Sequence, residues 1–352
     1  MKLLIITQKY DVKDSNLGVF IDWWDKLAEK IDKIYILALE KKSEPTKSNI
    51  EVVSMGKERG RGFFGKMSGF YLGLFKTIGK TDAILVHMIP KYAILAAPGA
   101  LIYRKPIYMW YTGVSVHWQL RIAVFFCKKI FTAHKAAMRV NTLKRIVTGH
   151  GINVEKFKIQ DTRYKIQDTI NVLSVGRITP SKGHDLIINV VSDLIKSGLD
   201  LKLKIIGGVI QDYHLKYLES LKKLVNDLKI DESVEFSGPV SSDEMPEYLR
   251  TSEILINAVP FGGLDKVVLE AMASGVVPLT SNNAFLNVFP PEISHDLVFK
   301  INDAQDLKNK LKNTLDKKFY QNELLRSGLR DVVIKNHNLD NLIERIYKEM
   351  EK

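Results

Sequence analysis

The sequence predicts an α/β protein of two doubly wound domains, each a parallel sheet flanked by helices. Three observations carry this. The chain has 352 residues, which at one domain per ~150 residues argues for two. Short β-like runs alternate with helical patterns along the whole chain, as βαβ units and parallel sheets require. The series pauses once, in a polar stretch over residues 157–170 that carries IQDT twice, and then restarts.

The elements follow in order. In the first half, strands are expected at residues 2–7, 33–39, 50–54, 82–87, 106–111, 129–132 and 145–148. In the second half they are expected at 170–176, 203–207, 234–237, 253–257 and 277–280. Residues 83–103 form the longest apolar region, but His87, Pro90, Lys91 and Pro98 interrupt it. A spanning helix needs ~20 mostly apolar residues, so the region is read as a buried strand followed by a buried helix. The helix after Gly183 is the clearest. Leu186, Ile187, Val190, Val191, Leu194 and Ile195 share one stripe, Ser181 offers a cap and Gly198 a stop. A last helix over 339–352, with Asn338 as its cap, has no strand after it and is expected to pack back on the first domain. The domains expected are therefore 1–160, with helix 339–352 added, and 161–338.

Composition narrows the function classes. Apolar content of 45% and charged content of 26% are ordinary for a soluble globular protein. A lone cysteine, Cys127, forms no internal disulfide framework and fits a reducing, cytoplasmic setting. No Cys/His cluster has metal-ligand spacing, so no metal site is expected. The first apolar run, residues 3–6, is shorter than the ~7–15 residues of a secretory h-region.

The net charge of +12 is unevenly spread. Residues 1–160 hold 27 Lys+Arg against 12 Asp+Glu, and residues 161–352 hold 25 against 28. That asymmetry points to an anionic partner for the first half. Nucleic acid would fit the charge, but no zinc-finger or RNP-like signature accompanies it, so nucleic acid is not expected. Residues 57–80 and 121–145 interleave basic residues with Phe63, Phe64, Phe70, Tyr71, Phe75, Phe125 and Phe126. Two readings stay open: these aromatics fill the first domain's core, or they lie in an anionic membrane interface as basic amphipathic helices do. Within the same region, residues 60–65 match G-x-G-x-x-G. The strand before them is third in order, and Asp82 begins a strand where a dinucleotide site needs an acid at the end of one. No nicotinamide cofactor is expected.

Two stretches carry chemistry. Gly176-Arg177 ends a strand and Lys182-Gly183 opens the next helix. A strand-to-helix turn at the carboxyl edge of a parallel sheet is where such folds bind ligands, and its free amides favour anions. Arg177 and Lys182 add two formal positive charges there. The second stretch, residues 261–275, reads FGGLDKVVLEAMASG and sets Glu270 inside an apolar run. A buried, unpaired carboxylate is costly. Glu270 therefore either lies beside Lys266, its (i, i−4) neighbour, or meets a polar ligand.

These segments resemble the retaining glycosyltransferases of family 4. VGRITPSKGHDLIINVV is similar to the family's G-R-x(4)-K-G segment, and FGGLDKVVLEAMASGVVPLTS to its E-x(7)-E segment. VTGHGINVEKF is similar to its N-G-[IV]-[DN] linker, with Gly149-His150 where Pro-Asn is usual. The resemblance implies a GT-B fold, two Rossmann-like domains facing a cleft. It implies transfer of a sugar, with retention, from a nucleotide-diphosphate donor to an acceptor hydroxyl, on glycan or lipid-linked acceptors, without a metal or other cofactor. By resemblance, Arg177 and Lys182 hold the diphosphate, with Gly176 beside them, and Glu270 the donor ribose. Gly262, Gly263, Leu264, Asp265 and Lys266 meet the donor through backbone amides. The nucleobase is expected near residues 207–210 and 237–242.

The sequence departs from the family at two positions. Gly262 stands where the first glutamate of E-x(7)-E is usual, which raises Asp265 or Lys266 as its replacement. Gly113 stands where a histidine helps hold the donor sugar, and His117, four residues on, is the candidate substitute; His87 is another. Gly18, one glycine where relatives often have a pair, is a candidate for close approach to the donor or acceptor. The two departures leave a non-catalytic nucleotide-sugar binder as the alternative to an enzyme.

Overall fold

The polypeptide builds two parallel sheets. The structure, a computed structural model, describes residues 1–14, 16–159, 169–209, 211–260 and 262–352. One unit comprises Met1–Gly151 and His337–Lys352, the other Ile152–Asn336. The expected boundary at 160/161 and the doubled IQDT fall at residues largely outside those described. Every strand expected from the sequence is present.

In the first unit the strands are β1 (Lys2–Tyr10), β2 (Lys33–Lys41), β3 (Ile50–Ser54), β4 (Ala83–His87), β5 (Ile107–Trp110), β6 (Cys127–Thr132) and β7 (Arg145–Val147), ordered β3-β2-β1-β4-β5-β6-β7. The order reverses between β1 and β4. The helices are α1 (Val19–Ala28), α2 (Phe63–Ile78), α3 (Pro90–Ile102) and α4 (Trp118–Phe126), with α12 (Leu339–Glu351) returning from the far end of the chain. Alternation along each strand sends side chains to opposite faces. Leu3, Ile5, Ile34, Ile36, Tyr108 and Trp110 pack with α1 and α12. Leu4, Ile6, Leu37, Ile84, Val86 and Met109 pack with α2, α3 and α4. Asn338 caps α12 by accepting the Asp340 amide at 2.9 Å, and Leu342, Ile343 and Ile346 are buried in the first unit.

The residue 60–65 glycine motif follows β3, an edge strand, and so lies away from the reversal point. Its Gly60 ends a short 3-10 turn in the left-handed region.

The second unit holds β8 (Ile170–Val175), α5 (His184–Lys196), β9 (Leu201–Ile206), α6 (Leu215–Leu228), β10 (Val234–Gly238), α7 (Met245–Arg250), β11 (Ile254–Asn257), α8 (Lys266–Ala273), β12 (Val277–Thr280), α9 (Pro291–Leu297), α10 (Ala304–Asp316) and α11 (Glu323–His337). Its sheet runs β10-β9-β8-β11-β12, all parallel. The order reverses between β8 and β11, and a doubly wound sheet opens its binding crevice at such a point. The stripe of α5 is buried as expected, at Ile187, Val190, Val191 and Leu194. Its cap differs from expectation: Ser181 sits in a 3-10 turn, Pro180–Lys182, and pairs with the Thr179 hydroxyl at 2.9 Å. Gly183, at φ 61°, makes the turn into the helix instead.

Two arginines of α11 fasten α8 from behind. Arg326 donates to the Gly275 carbonyl at 2.9 Å. Arg330 bonds the carbonyls of Ala273, Phe157 and Val154. Basic side chains thus satisfy carbonyls that the end of α8 leaves open. Replacing Arg330 by Met strands three acceptors, and urea denaturation is expected to show a loss of roughly 3 kcal/mol.

Candidate functional site

Three neighbouring strands of the second unit end in glycine: β8 before Gly176, β9 before Gly207 and β10 at Gly238. The Gly207 amide donates to the Gly238 carbonyl at 2.9 Å, and the Gly176 amide to the Ile206 carbonyl at 2.9 Å. A Cβ on Gly207 would stand 1.7 Å from the Gly176 carbonyl oxygen, so no side chain fits there. The stem of Lys182 lies over Gly176, whose own Cβ would meet Lys182 Cδ at 3.1 Å. The glycine at 176 is the seat on which Lys182 rests. Ile210, the last residue of the expected base loop, lies outside the described residues.

His184, which sequence reasoning did not single out, secures the turn. Its Nε2–H donates to the Arg177 carbonyl at 3.3 Å, and its Nδ1 accepts from the Ser174 hydroxyl at 3.2 Å. Burial holds this imidazole neutral, with its pKa pushed down to about 4. Arg177 itself is exposed at the carboxyl edge of the sheet. Gly183 meets the end of β11 closely, since a Cβ there would lie 2.9 Å from Ala258 Cβ.

The second turn, after β11, comes to the same place. Lys182 Nζ lies 3.7 Å from Asp265 Oδ1, both side chains 19% exposed. Burial pushes the Asp265 carboxyl above its ordinary value, and Lys182 and Asn282 pull the other way. Asn282 donates from Nδ2 to the Gly263 carbonyl at 2.8 Å and reaches Asp265 Oδ2 at 3.4 Å. The Asn282 amide is held by Thr280, whose hydroxyl donates to Asn257 at 3.1 Å. This chain of polar groups ties the ends of β11 and β12 to the glycine turn. Among the described residues, the space beside Gly262 is open, the nearest atom to a Cβ being Asn282 Nδ2 at 4.0 Å. Leu264 is anchored in the core, so only its backbone serves the turn.

Glu270 is 6% exposed, and Lys266 Nζ meets its Oε1 at 2.5 Å. The pairing with Lys266 that the sequence offered is present, with Glu270 buried and Lys266 half-buried. Gly176, Arg177, Lys182, Gly263, Asp265, Lys266 and Glu270 therefore gather at the reversal point of one sheet. Gly18 and His117 belong to the first unit. His117 caps α4, its Nδ1 accepting the Leu120 amide at 3.2 Å. Gly18 has a local reason to be glycine: a Cβ would lie 2.6 Å from the carbonyl oxygens of Val12 and Asp14. Gly113 does too, since the Tyr111 hydroxyl occupies the space its side chain would take, 2.3 Å from a Cβ. His87, at the β1–β4 reversal, is buried against Phe20 and Trp24 and pairs with Thr7 at 3.1 Å. Its Nε2 has no hydrogen-bond partner among the described residues. No group of three or more metal-ligating side chains occurs among those residues either.

Two Rossmann-like domains with an anion-favouring turn at a sheet reversal define the GT-B class of protein, and solved structures share that fold. Anabaena HepE, determined in complex with UDP and glucose, superposes with a TM-score of 0.80 at 14% identity, covering 100% of this chain and 99% of HepE. The chain belongs to the glycosyl transferases group 1 family, which residues 156–347 match. Among curated relatives, a GDP-Man:Man(3)GlcNAc(2)-PP-Dol alpha-1,2-mannosyltransferase of Dictyostelium discoideum is 29% identical over 120 residues, 32% of this chain and 24% of the relative. The chain thus spans about a quarter of that enzyme's length. Protein CapJ of Staphylococcus aureus is 22% identical over 380 residues, 98% of this chain and 94% of CapJ.

The buried imidazoles set an acid limit on stability. Burial lowers His87 to about 3 and His184 and His337 to about 4. Their folded pKa values lie below the ordinary 6.5, so the unfolded chain takes up protons first as pH falls. Stability is then lost on acidification from about 6.5 toward 4, at up to ~1.4 kcal/mol per pH unit for each histidine. His184→Gln is expected to remove about one of these three protons from the slope, measured by urea denaturation at a series of pH values.

Proposed function

We propose that this protein transfers a sugar from a nucleotide-diphosphate donor to an acceptor hydroxyl with retention of configuration, as family 4 members do. The observation that carries the reading is the meeting of the Arg177–Lys182 turn with the 262–266 turn, through Lys182 and Asp265 at 3.7 Å. As the bond between the anomeric carbon and the β-phosphate oxygen breaks, negative charge grows on the departing diphosphate. Arg177, at the turn, and Lys182, seated on Gly176, stabilise that charge, so that no metal ion is required. The glycine turn at 262–263 leaves room for the sugar, and its amides face an anion readily.

Glu270 accepts hydrogen bonds from the donor ribose hydroxyls in this reading. Lys266, paired to Glu270, shares or releases the carboxylate as the donor enters. Asp265, bracketed by Lys182 and Asn282, takes the place of the missing glutamate toward the sugar hydroxyls. The names of the relatives support a nucleotide-sugar donor and acceptors of glycan or lipid-linked type. The lone cysteine, Cys127, buried, supports a cytoplasmic setting.

A thermal-shift screen of UDP-, GDP- and ADP-sugars is expected to single out one nucleotide. Glu270→Gln is then expected to weaken donor binding roughly 10- to 100-fold, the value of losing a charged hydrogen-bond acceptor. Unchanged affinity would refute the ribose assignment. Slow donor hydrolysis by the unaltered protein, lost in Arg177→Ala, separates an enzyme from a non-catalytic binder.

A further inference from the structure

The two faces of the first unit's sheet carry helices of opposite character. On one face, α1 contains Asp22 and Asp25, and α12 contains Asp340, Glu344, Glu349 and Glu351. On the other face, α2, α3 and α4 contain no acidic residue at all. From Arg59 to Arg145 the sequence holds 15 Lys+Arg and one acid, Asp82. That carboxylate is engaged by the Lys2 amide at 2.7 Å.

The solvent side of these three helices is also apolar. On α2, Phe64, Leu72 and Phe75 are 84%, 69% and 48% exposed. On α4, Trp118, Ile122 and Phe125 fall at i, i+4 and i+7 and are 65%, 39% and 75% exposed. α3 ends in Leu101 and Ile102, at 70% and 72%. The inner sides are buried in the usual way, through Phe70, Leu74, Ala96, Ala97, Leu120 and Ala123. A surface helix normally turns a polar face outward, as α12 does. The helices form one continuous surface. A Cβ on Gly99 of α3 would lie 3.3 Å from Leu74 of α2, and α3 and α4 pack side by side. Lys66, Lys76, Lys91, Arg104, Arg121 and Lys128 stand among the apolar groups, and Lys91 Nζ lies 5.7 Å from the centre of the Phe63 ring.

An exposed apolar surface of this extent marks an interaction site, and the charge selects the partner. A nucleic acid would engage the cations but leave Leu72, Leu101, Ile102 and Ile122 in water. A second copy of the same face would bring like charges together. An anionic bilayer takes both features at once: phosphate headgroups meet Lys and Arg, and the headgroup–acyl boundary accepts Trp, Phe, Leu and Ile. We infer that the outward faces of α2, α3 and α4 dock on an anionic lipid surface, with the aromatic and aliphatic groups inserted at the interface. No helix among the described residues is long and apolar enough to cross a membrane, so the contact lies in the interface plane. The inference does not depend on the donor chemistry proposed above.

Tryptophan fluorescence gives a direct test. Trp23, Trp24 and Trp110 are 2%, 2% and 1% exposed, whereas Trp118 is 65% exposed and lies on the proposed face. The full chain is mixed with phosphatidylcholine vesicles, with and without phosphatidylglycerol, and with vesicles whose acyl chains are brominated. Flotation with the anionic vesicles is expected, together with quenching of Trp118 by brominated chains. The exposed-site double variant Phe64→Glu/Phe125→Glu is expected to lose both by roughly ten-fold or more while keeping the donor thermal shift of the unaltered chain. Failure to float at low salt would overturn the inference. So would flotation without quenching, which signals charge attraction alone. Self-association that the double variant abolishes would assign the face to a second copy instead, and salt-sensitive RNA binding lost in that variant would assign it to nucleic acid.

Discussion

The candidate site depends on one steric constraint at the carboxyl edge of the second sheet. Gly207 approaches the Gly176 carbonyl so closely that no Cβ can be placed between them. That contact closes the ends of β8 and β9 and leaves Gly176 as a flat seat for the Lys182 stem. His184, buried and neutral, then fixes the Arg177 carbonyl. The backbone at Arg177 and the stem of Lys182 are thus positioned by the fold itself.

The carboxylates of the site follow from the same placement. Glu270 is buried and Asp265 half-buried, and each has an ammonium partner, Lys266 and Lys182 respectively. A buried carboxylate without such a partner would be costly. Each pairing compensates the charge of the acid within the fold itself. The polar chain Asn257–Thr280–Asn282 holds the glycine turn in register with Lys182. It comes from β11 and β12, so the strand order, not the local loop, decides where Asp265 points.

The first unit shows a different division of labour. Its sheet has equally apolar sides, but the helices on one side carry the acids and those on the other carry none. The positions where relatives differ have local causes here. Gly113 makes room for the Tyr111 hydroxyl, and His117 is used as a helix cap. Neither observation alters the site of the second unit.

The sequence by itself determined the strands, the alternation that makes both sheets parallel, the stripe of α5 and the anomaly of Glu270, because periodicity and composition are local properties. It also pointed to Arg177 and Lys182, since a basic strand-to-helix turn is legible within a few residues. It did not reveal that Lys182 meets Asp265, that His184 anchors the turn, that Asn282 orients Gly263, or that Gly207 must lack a side chain. Those contacts join residues from different strands, and only the order β10-β9-β8-β11-β12 brings them together. The same holds for the acid-free face of α2, α3 and α4. Their charge is written in the chain, but which side of the sheet they cover, and which of their aromatics are left facing water, was decided by packing.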